Sequence, residues 1–152
     1  MIRELNIALI GCGNWGKNIA RNLHHLGSLA CIYDTNIKLS EKLSYEYSLP
    51  TLELNRIFKN PNINAIVIAS PAMTHKNMAI EALNNDKDVF IEKPFCLSLT
   101  DAQKLSELAT SKNRILMVGH LLNYHNAFIK MKELVKNGKI GVPQNIRANR
   151  LA

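Results

Sequence analysis

No stretch of the chain approaches the roughly 20 consecutive apolar residues that a membrane crossing needs. Met1-Ile2-Arg3-Glu4 runs straight into a short strand pattern, with no apolar leader core followed by a small-residue cleavage site. A cytoplasmic protein with no membrane partner is therefore expected. Cysteine is sparse: Cys12, Cys31 and Cys96 are odd in number, far apart and without a CxxC pair. That argues against a zinc ribbon or a thioredoxin-type site, and the expectation is three buried, reduced thiols and no metal. Aromatics are few, with four Phe, four Tyr and one Trp. Lys and Arg outnumber Asp and Glu by 19 to 12, a formal charge of +7. A basic balance can point to nucleic acid, an anionic membrane or an anionic small substrate. The cations here are scattered and form no run, so the compact basic patch of a nucleic-acid binder is not legible in the sequence, and no nucleic-acid partner is expected. There is no internal repeat and no low-complexity linker, and 152 residues suit one domain.

What is present is alternation. Compact apolar runs stand at 5–10, 29–33, 65–69, 89–91 and 115–118. Helical spacing fills the gaps between them, at 17–26, 39–47, about 75–83, 101–112 and 127–136. Thr74 and Thr100 are expected to cap the third and fourth of these helices. Strands alternating with helices indicate βαβ units, and near-continuously apolar strands indicate a sheet covered on both faces. The fold class is therefore α/β, a doubly wound and mostly parallel sheet of about five or six strands. After the turn at Gly141-Val142-Pro143, residues 146–152 alternate like the opening of a half-buried strand. The expected organisation is one domain over 1–140 and, over 141–152, the start of a second, truncated C-terminal domain.

Gly11-Cys12-Gly13-Asn14-Trp15-Gly16 is a G-x-G-x-x-G motif. Alone it is weak, but here it follows a strand pattern and opens a helix pattern, the context that makes it specific for dinucleotides. Gly11 would permit the tight turn, Gly13 the approach of the pyrophosphate, and Gly16 close packing of helix on strand. The helix N-terminus offers unpaired N–H groups and the positive end of its dipole to an anion. Trp15 is a packing residue or a wall of the cofactor cleft. Asp34 ends the second strand, 23 residues after Gly11, where an acidic side chain is expected to accept the adenine-ribose hydroxyls. A carboxylate there repels a 2′-phosphate, and Thr35 and Asn36 supply no cation to receive one, so NAD is favoured over NADP. The alternative for Asp34 is a solvated strand-end carboxylate.

Ligands of open α/β sheets lie beyond the carboxyl ends of the strands. The residues there are Ser70-Pro71, Glu92-Lys93-Pro94 and Gly119-His120. Lys93, held between a strand and a proline, is placed to hydrogen-bond a hydroxyl and to move its proton as hydride leaves. The alternative is a solvated lysine paired with Glu92. His75, at a helix start, is a candidate for contact with the nicotinamide ribose, and His120 a candidate at the cleft edge. Either could equally be structural.

Four segments carry a likeness to a known family: the run from Ile7 through the glycine loop to Asn18, Ser70-Pro71-Ala72-Met73-Thr74-His75, Glu92-Lys93-Pro94-Phe95 and Val118-Gly119-His120-Leu121-Leu122. Over essentially its whole length the chain resembles the Gfo/Idh/MocA oxidoreductases. The resemblance implies an N-terminal NAD-binding Rossmann domain, with Lys93 beside the nicotinamide in a catalytic role. Val118 to Leu122 with Tyr124-His125 looks most like the subgroup acting on UDP-N-acetylated sugars at C3, although Asn123 stands where related sequences often carry Arg. A small sugar or nucleotide-sugar substrate and a homo-oligomeric intact enzyme are implied. Family members run well beyond this length, and their second domain holds substrate and builds the oligomer. The competing expectation is a stand-alone or truncated nucleotide-binding module without catalysis.

Overall fold

A computed structural model describes residues 5–149. Its first compact unit extends to Gly119 and a second begins at His120. In the first unit lie strands β1 (Ile7–Ile10), β2 (Leu29–Tyr33), β3 (Ala65–Ile68), β4 (Asp88–Ile91) and β5 (Leu116–Val118), with helices α1 (Asn14–His25), α2 (Ile37–Tyr47), α3 (Leu54–Lys59), α4 (Ala72–Asn84) and α5 (Leu99–Ser111) between them. All strand pairings are parallel and the order is β2-β1-β3-β4-β5. The sheet is wholly rather than mostly parallel, and its order reverses between β1 and β3, which is where such sheets open a crevice.

Alternation along each strand sends side chains to two faces. Ala8, Ile10, Ile66, Ile68, Val89 and Ile91 pack with Ile57 and Phe58 of α3, Ala79 and Leu83 of α4, and Leu105 of α5. Ile7, Leu9, Leu29 and Val67 pack with Ala20 of α1 and Leu43 of α2. The double covering explains why the strands are apolar at nearly every position. The register sets Ile10 opposite both Tyr33 and Ile68, Ile68 opposite Ile91, and Ile91 opposite Val118. The five strands thus end level, and Gly11, Asp34, Ala69, Glu92 and Gly119 follow along one edge.

Three local expectations need correction. Helix α1 begins at Asn14, inside the glycine motif, not at Lys17. Helix α4 begins at Ala72, with extended Pro71 at the capping position, because Pro71 has no N–H to leave unpaired. Thr74 therefore lies within the first turn, its hydroxyl donating to the Pro71 carbonyl at 2.8 Å. Helix α5 is capped by Ser98, whose Oγ accepts from the Asp101 N–H at 3.2 Å, which leaves Thr100 inside the helix. Helix α3, six residues long, is too short to show a period. Beyond β2, Thr51 makes a single parallel bridge to Ile32.

In the second unit a 3-10 turn at Leu121–Tyr124 leads into α6 (Asn126–Lys136), capped by the His125 ring, which accepts from the Ala127 N–H at 3.3 Å. Gly138 closes α6 with φ +67. Residues 146–149 form no strand, and 150–152 lie outside the described residues, so the expected strand opening is absent among the residues described.

Lys87 is the unusual cation of the first unit, 6% exposed. Its Nζ donates to the carbonyls of Asn60 at 2.6 Å and Ile63 at 2.8 Å, joining the α3–β3 connection to the start of β4. Burial lowers its pKa, opposed by nearby Asp86. Lys87→Met leaves both carbonyls without this donor and is expected to cost about 1–3 kcal/mol, read as a lower urea midpoint at unchanged slope.

Cys12 and Cys31 are buried and reduced. Burial, with Asp34 adding to it at Cys12, pushes Cys12 up to about 12, and burial alone pushes Cys31 up to about 11, from an ordinary value of 9.0. Each folded value is raised, so the stabilisation is fully present below pH 9 and is lost as pH climbs from there towards 12. A thiol reagent at pH 8 is expected to label half-buried Cys96 in the native chain and the other two only after denaturation.

Candidate functional site

The level strand ends meet the glycine loop at the reversal between β1 and β3. Gly11 turns with φ +101, and a Cβ there would stand 2.6 Å from the Ala69 carbonyl carbon and 2.7 Å from the Ser70 nitrogen. A Cβ at Gly16 would run into the Gly11 carbonyl. These two glycines let three backbone segments touch. Gly13 differs: a Cβ built on it meets nothing within 4 Å. It is the N-cap of α1 and brings no capping side chain, so the first-turn N–H groups have no side-chain acceptor there.

Asp34 is tied on both carboxylate oxygens. Oδ2 accepts the Cys12 N–H at 2.6 Å and Oδ1 accepts the Asn36 N–H at 2.7 Å. Each oxygen keeps a further acceptor site, and Asp34 lines a cavity of about 450 Å³ with Gly11, Gly13, Asn14, Trp15, Tyr33, Thr35, Ala69, Ser70, Pro71, Thr74 and Met78. The cavity spans the β2, β1 and β3 ends. Tyr33, Thr35, Ala69, Thr74 and Met78 were not anticipated from the sequence. Tyr33, Thr35 and Ala69 flank strand ends, and Thr74 and Met78 stand one turn apart on α4. With the Thr74 proton given to Pro71, the Ser70 hydroxyl donates to the Thr74 oxygen at 2.7 Å, and the Met78 sulfur lies 3.5 Å from the same Ser70 oxygen.

The remaining candidates divide. Glu92 is buried, and its Oε2 accepts the Lys93 main-chain N–H at 3.1 Å. Among the described residues no ion pair joins it to the Lys93 ammonium, which corrects the alternative of a Glu92–Lys93 pair. Lys93 is exposed, precedes a cis Pro94, and sets its Nζ 5.7 Å from the centre of the Trp15 ring. That distance allows a cation–π contact. His75 is 1% exposed and is not among the residues lining the cavity. Its Nδ1 lies 2.8 Å from the Pro94 carbonyl and its Nε2 2.8 Å from the Ser70 carbonyl. Both ring nitrogens thus face main-chain carbonyls of two separate loops. Cys12 gives its N–H to Asp34 and turns its buried thiol towards the Tyr33 carbonyl at 3.7 Å. His120 opens the second unit and is exposed there.

An uncapped helix N-terminus, an open glycine and a tethered carboxylate along one crevice suit a dinucleotide. Residues 5–120 match the model of an oxidoreductase family with an NAD-binding Rossmann fold. The chain belongs to the Gfo/Idh/MocA oxidoreductase family. This Gfo/Idh/MocA chain is 31% identical over 150 residues to a myo-inositol 2-dehydrogenase of Thermotoga maritima, covering 94% of the chain and 44% of that relative. It is 29% identical over 140 residues to a 2,7-anhydro-N-acetylneuraminate hydratase of Escherichia coli, covering 90% and 37%. The solved UDP-N-acetylglucosamine 3-dehydrogenase of Acidithiobacillus ferrooxidans superposes with a TM-score of 0.79 at 24% identity, covering 85% of the chain and 42% of that structure, a likeness of fold. The chain therefore spans less than half the length of these relatives. NAD is the cofactor of the fold.

The glycines separate structure from binding. Gly16→Ala is expected to cost about 3 kcal/mol or more, because backbone must yield to a methyl group. Gly13→Ala is expected to cost about 1 kcal/mol or less, because nothing is displaced and only the N-cap preference for glycine over alanine is lost. Urea unfolding of both variants measures the difference.

Proposed function

We propose that the chain is the cofactor half of an NAD-dependent dehydrogenase that oxidises a secondary ring hydroxyl of a sugar. The tethered carboxylate of Asp34 carries this reading. Its two oxygens are fixed by main-chain N–H groups and still face the crevice, where they accept the hydroxyls of an unphosphorylated ribose. Asp34 cannot turn aside for a 2′-phosphate without breaking both bonds. The α1 N–H groups beyond Gly13 receive the pyrophosphate, and the Ser70-Pro71 turn leads towards the nicotinamide end. NAD supplies the hydride acceptor when bound.

Lys93 orients the hydroxyl of the substrate and, in its neutral amine form, takes the proton from that oxygen as the carbinol carbon gives up its hydride and the C=O bond forms. Glu92 accepts the Lys93 main-chain N–H and Trp15 faces its side-chain nitrogen. For substrate we favour UDP-N-acetylated sugars, supported by the resemblance of Val118 to Leu122 with Tyr124-His125 to that subgroup. The inositol and anhydro-sialic acid relatives set the wider class of polyhydroxylated rings. Within the family reading, residues 141–152 begin the second domain, and the intact enzyme is a cytoplasmic homo-oligomer.

Calorimetry tests the cofactor half. NAD is expected to bind at least about tenfold more tightly than NADP, a gap of about 1.4 kcal/mol. Gly13→Ala should lose a similar factor for NAD while remaining folded. Equal binding of the two cofactors would remove the role of Asp34. An NADH absorbance assay with UDP-sugars, inositols and free sugars tests the rest. Because the chain spans less than half of its relatives, we expect it to bind NAD without turnover, and to reduce NAD once joined to the remaining length of a relative. Equal rates for the short and joined chains would overturn that division.

A further inference from the structure

We infer that His75 is the positioning residue of Lys93, acting through the loop that follows β4, and that it makes no contact with the cofactor. The inference rests on the proposed role of Lys93, but its geometry stands independently. His75 is 1% exposed in the first turn of α4, and each ring nitrogen lies 2.8 Å from a main-chain carbonyl, Ser70 after β3 and Pro94 after β4. Carbonyl oxygens only accept, so both contacts are hydrogen bonds when both ring nitrogens carry protons. Whichever nitrogen donates, neither faces the crevice, so neither is available to a ribose or a substrate.

The two carbonyls belong to separate strand-end turns. One turn carries Ser70 and Pro71, which line the crevice; the other carries Lys93. Backbone pairing joins β3 and β4 up to the Glu92 N–H on the Ile68 carbonyl, 2.9 Å. Beyond that point the chains part, and the imidazole spans the gap. Lys93 is gripped from both sides along the chain: Glu92 accepts its N–H, and His75 holds the carbonyl of the next residue. Its side chain is then delivered to the face of Trp15, at 5.7 Å. Without the bridge, the Lys93 turn keeps its strand but loses its fixed direction, and the crevice wall at Ser70 loosens with it.

Trp15 is the single tryptophan of the chain, so its ring current gives a private reading of Lys93. Lysine labelled with 13C at Cε, with the Lys93 signal assigned by Lys93→Arg and the ring current by Trp15→Leu, reports how closely the ammonium keeps to the indole. In His75→Ala, with its circular dichroism unchanged, the Lys93 signal is expected to lose its upfield displacement and move to its position in Trp15→Leu. Millimolar imidazole filling the vacated space should restore it. His75→Gln, whose amide can donate to one carbonyl but lacks the ring that fills the gap, should fall between. NAD affinity, measured in parallel, should fall together with the Lys93 displacement. A Lys93 signal unmoved in His75→Ala overturns the inference; where that variant fails to fold, a signal unmoved in His75→Gln does the same. A loss of NAD affinity with Lys93 still at the indole would instead assign His75 a direct cofactor contact. Because the signal needs no turnover, a positive result stands even if the sugar panel is inactive, and sugar oxidation with an unmoved signal sinks only the role of His75.

Discussion

Backbone lies directly against backbone where β1 ends, and the cleft exists because of it. Gly11 turns beneath the Ala69–Ser70 peptide, and Gly16 sits on the Gly11 carbonyl, each at a distance that a single methyl group would forbid. Three elements, β1, α1 and β3, converge at a point with no side chain between them. Convergence fixes the start of α1 immediately beside the reversal of strand order, so its positive end faces the crevice instead of the flank of the sheet. A looser junction would bury the same core but would move the anion site out of line with Asp34.

Around that junction the polar groups are spent on one another in a particular pattern. Asp34 holds the glycine loop through Cys12, Ser70 holds Thr74, and His75 bridges two turns. No buried side-chain nitrogen or oxygen among the described residues lacks a partner. Satisfied networks of this kind are stiff, since any movement leaves a donor or acceptor unpaired in a poorly solvated place. A crevice that must hold a long, flexible dinucleotide gains from such stiffness, because less order has to be imposed when the ligand arrives.

The strands were legible because both faces of the sheet are covered: an apolar run such as Ala65-Ile66-Val67-Ile68 has little other use. The glycine loop and Asp34 were legible because backbone geometry and charge restrict which residues can stand there. Helix starts were less so. Thr74 and Thr100 have the right chemistry for caps, yet Pro71 and Ser98 hold those positions, since tertiary packing chose where each helix begins. Helix α3 left no period to detect. His75 was visible as a candidate, but its direction was not. A histidine at a helix start near a strand end can point into the crevice or across it, and only the positions of the Ser70 and Pro94 carbonyls decide. The alternation at 146–149 shows the reverse case, since a strand pattern needs a neighbouring strand before it can be one.

The fate of Lys93 follows from its neighbour. An adjacent glutamate would ordinarily be the first partner of a lysine on a turn. Glu92 is instead buried, pointing back to accept the main-chain N–H, and Gly119 supplies the room: a Cβ there would lie 3.1 Å from Glu92 Oε1. With that carboxylate committed to the backbone, the ammonium meets an aromatic face rather than an anion. A carboxylate partner would hold the ammonium in place and in its charged form, whereas an indole face offers a weaker attraction, about 0.5–1 kcal/mol at an exposed site. The arrangement therefore keeps Lys93 directed by its backbone and only lightly held at its tip, which is the condition a group needs if it is to exchange a proton with a hydroxyl brought to it.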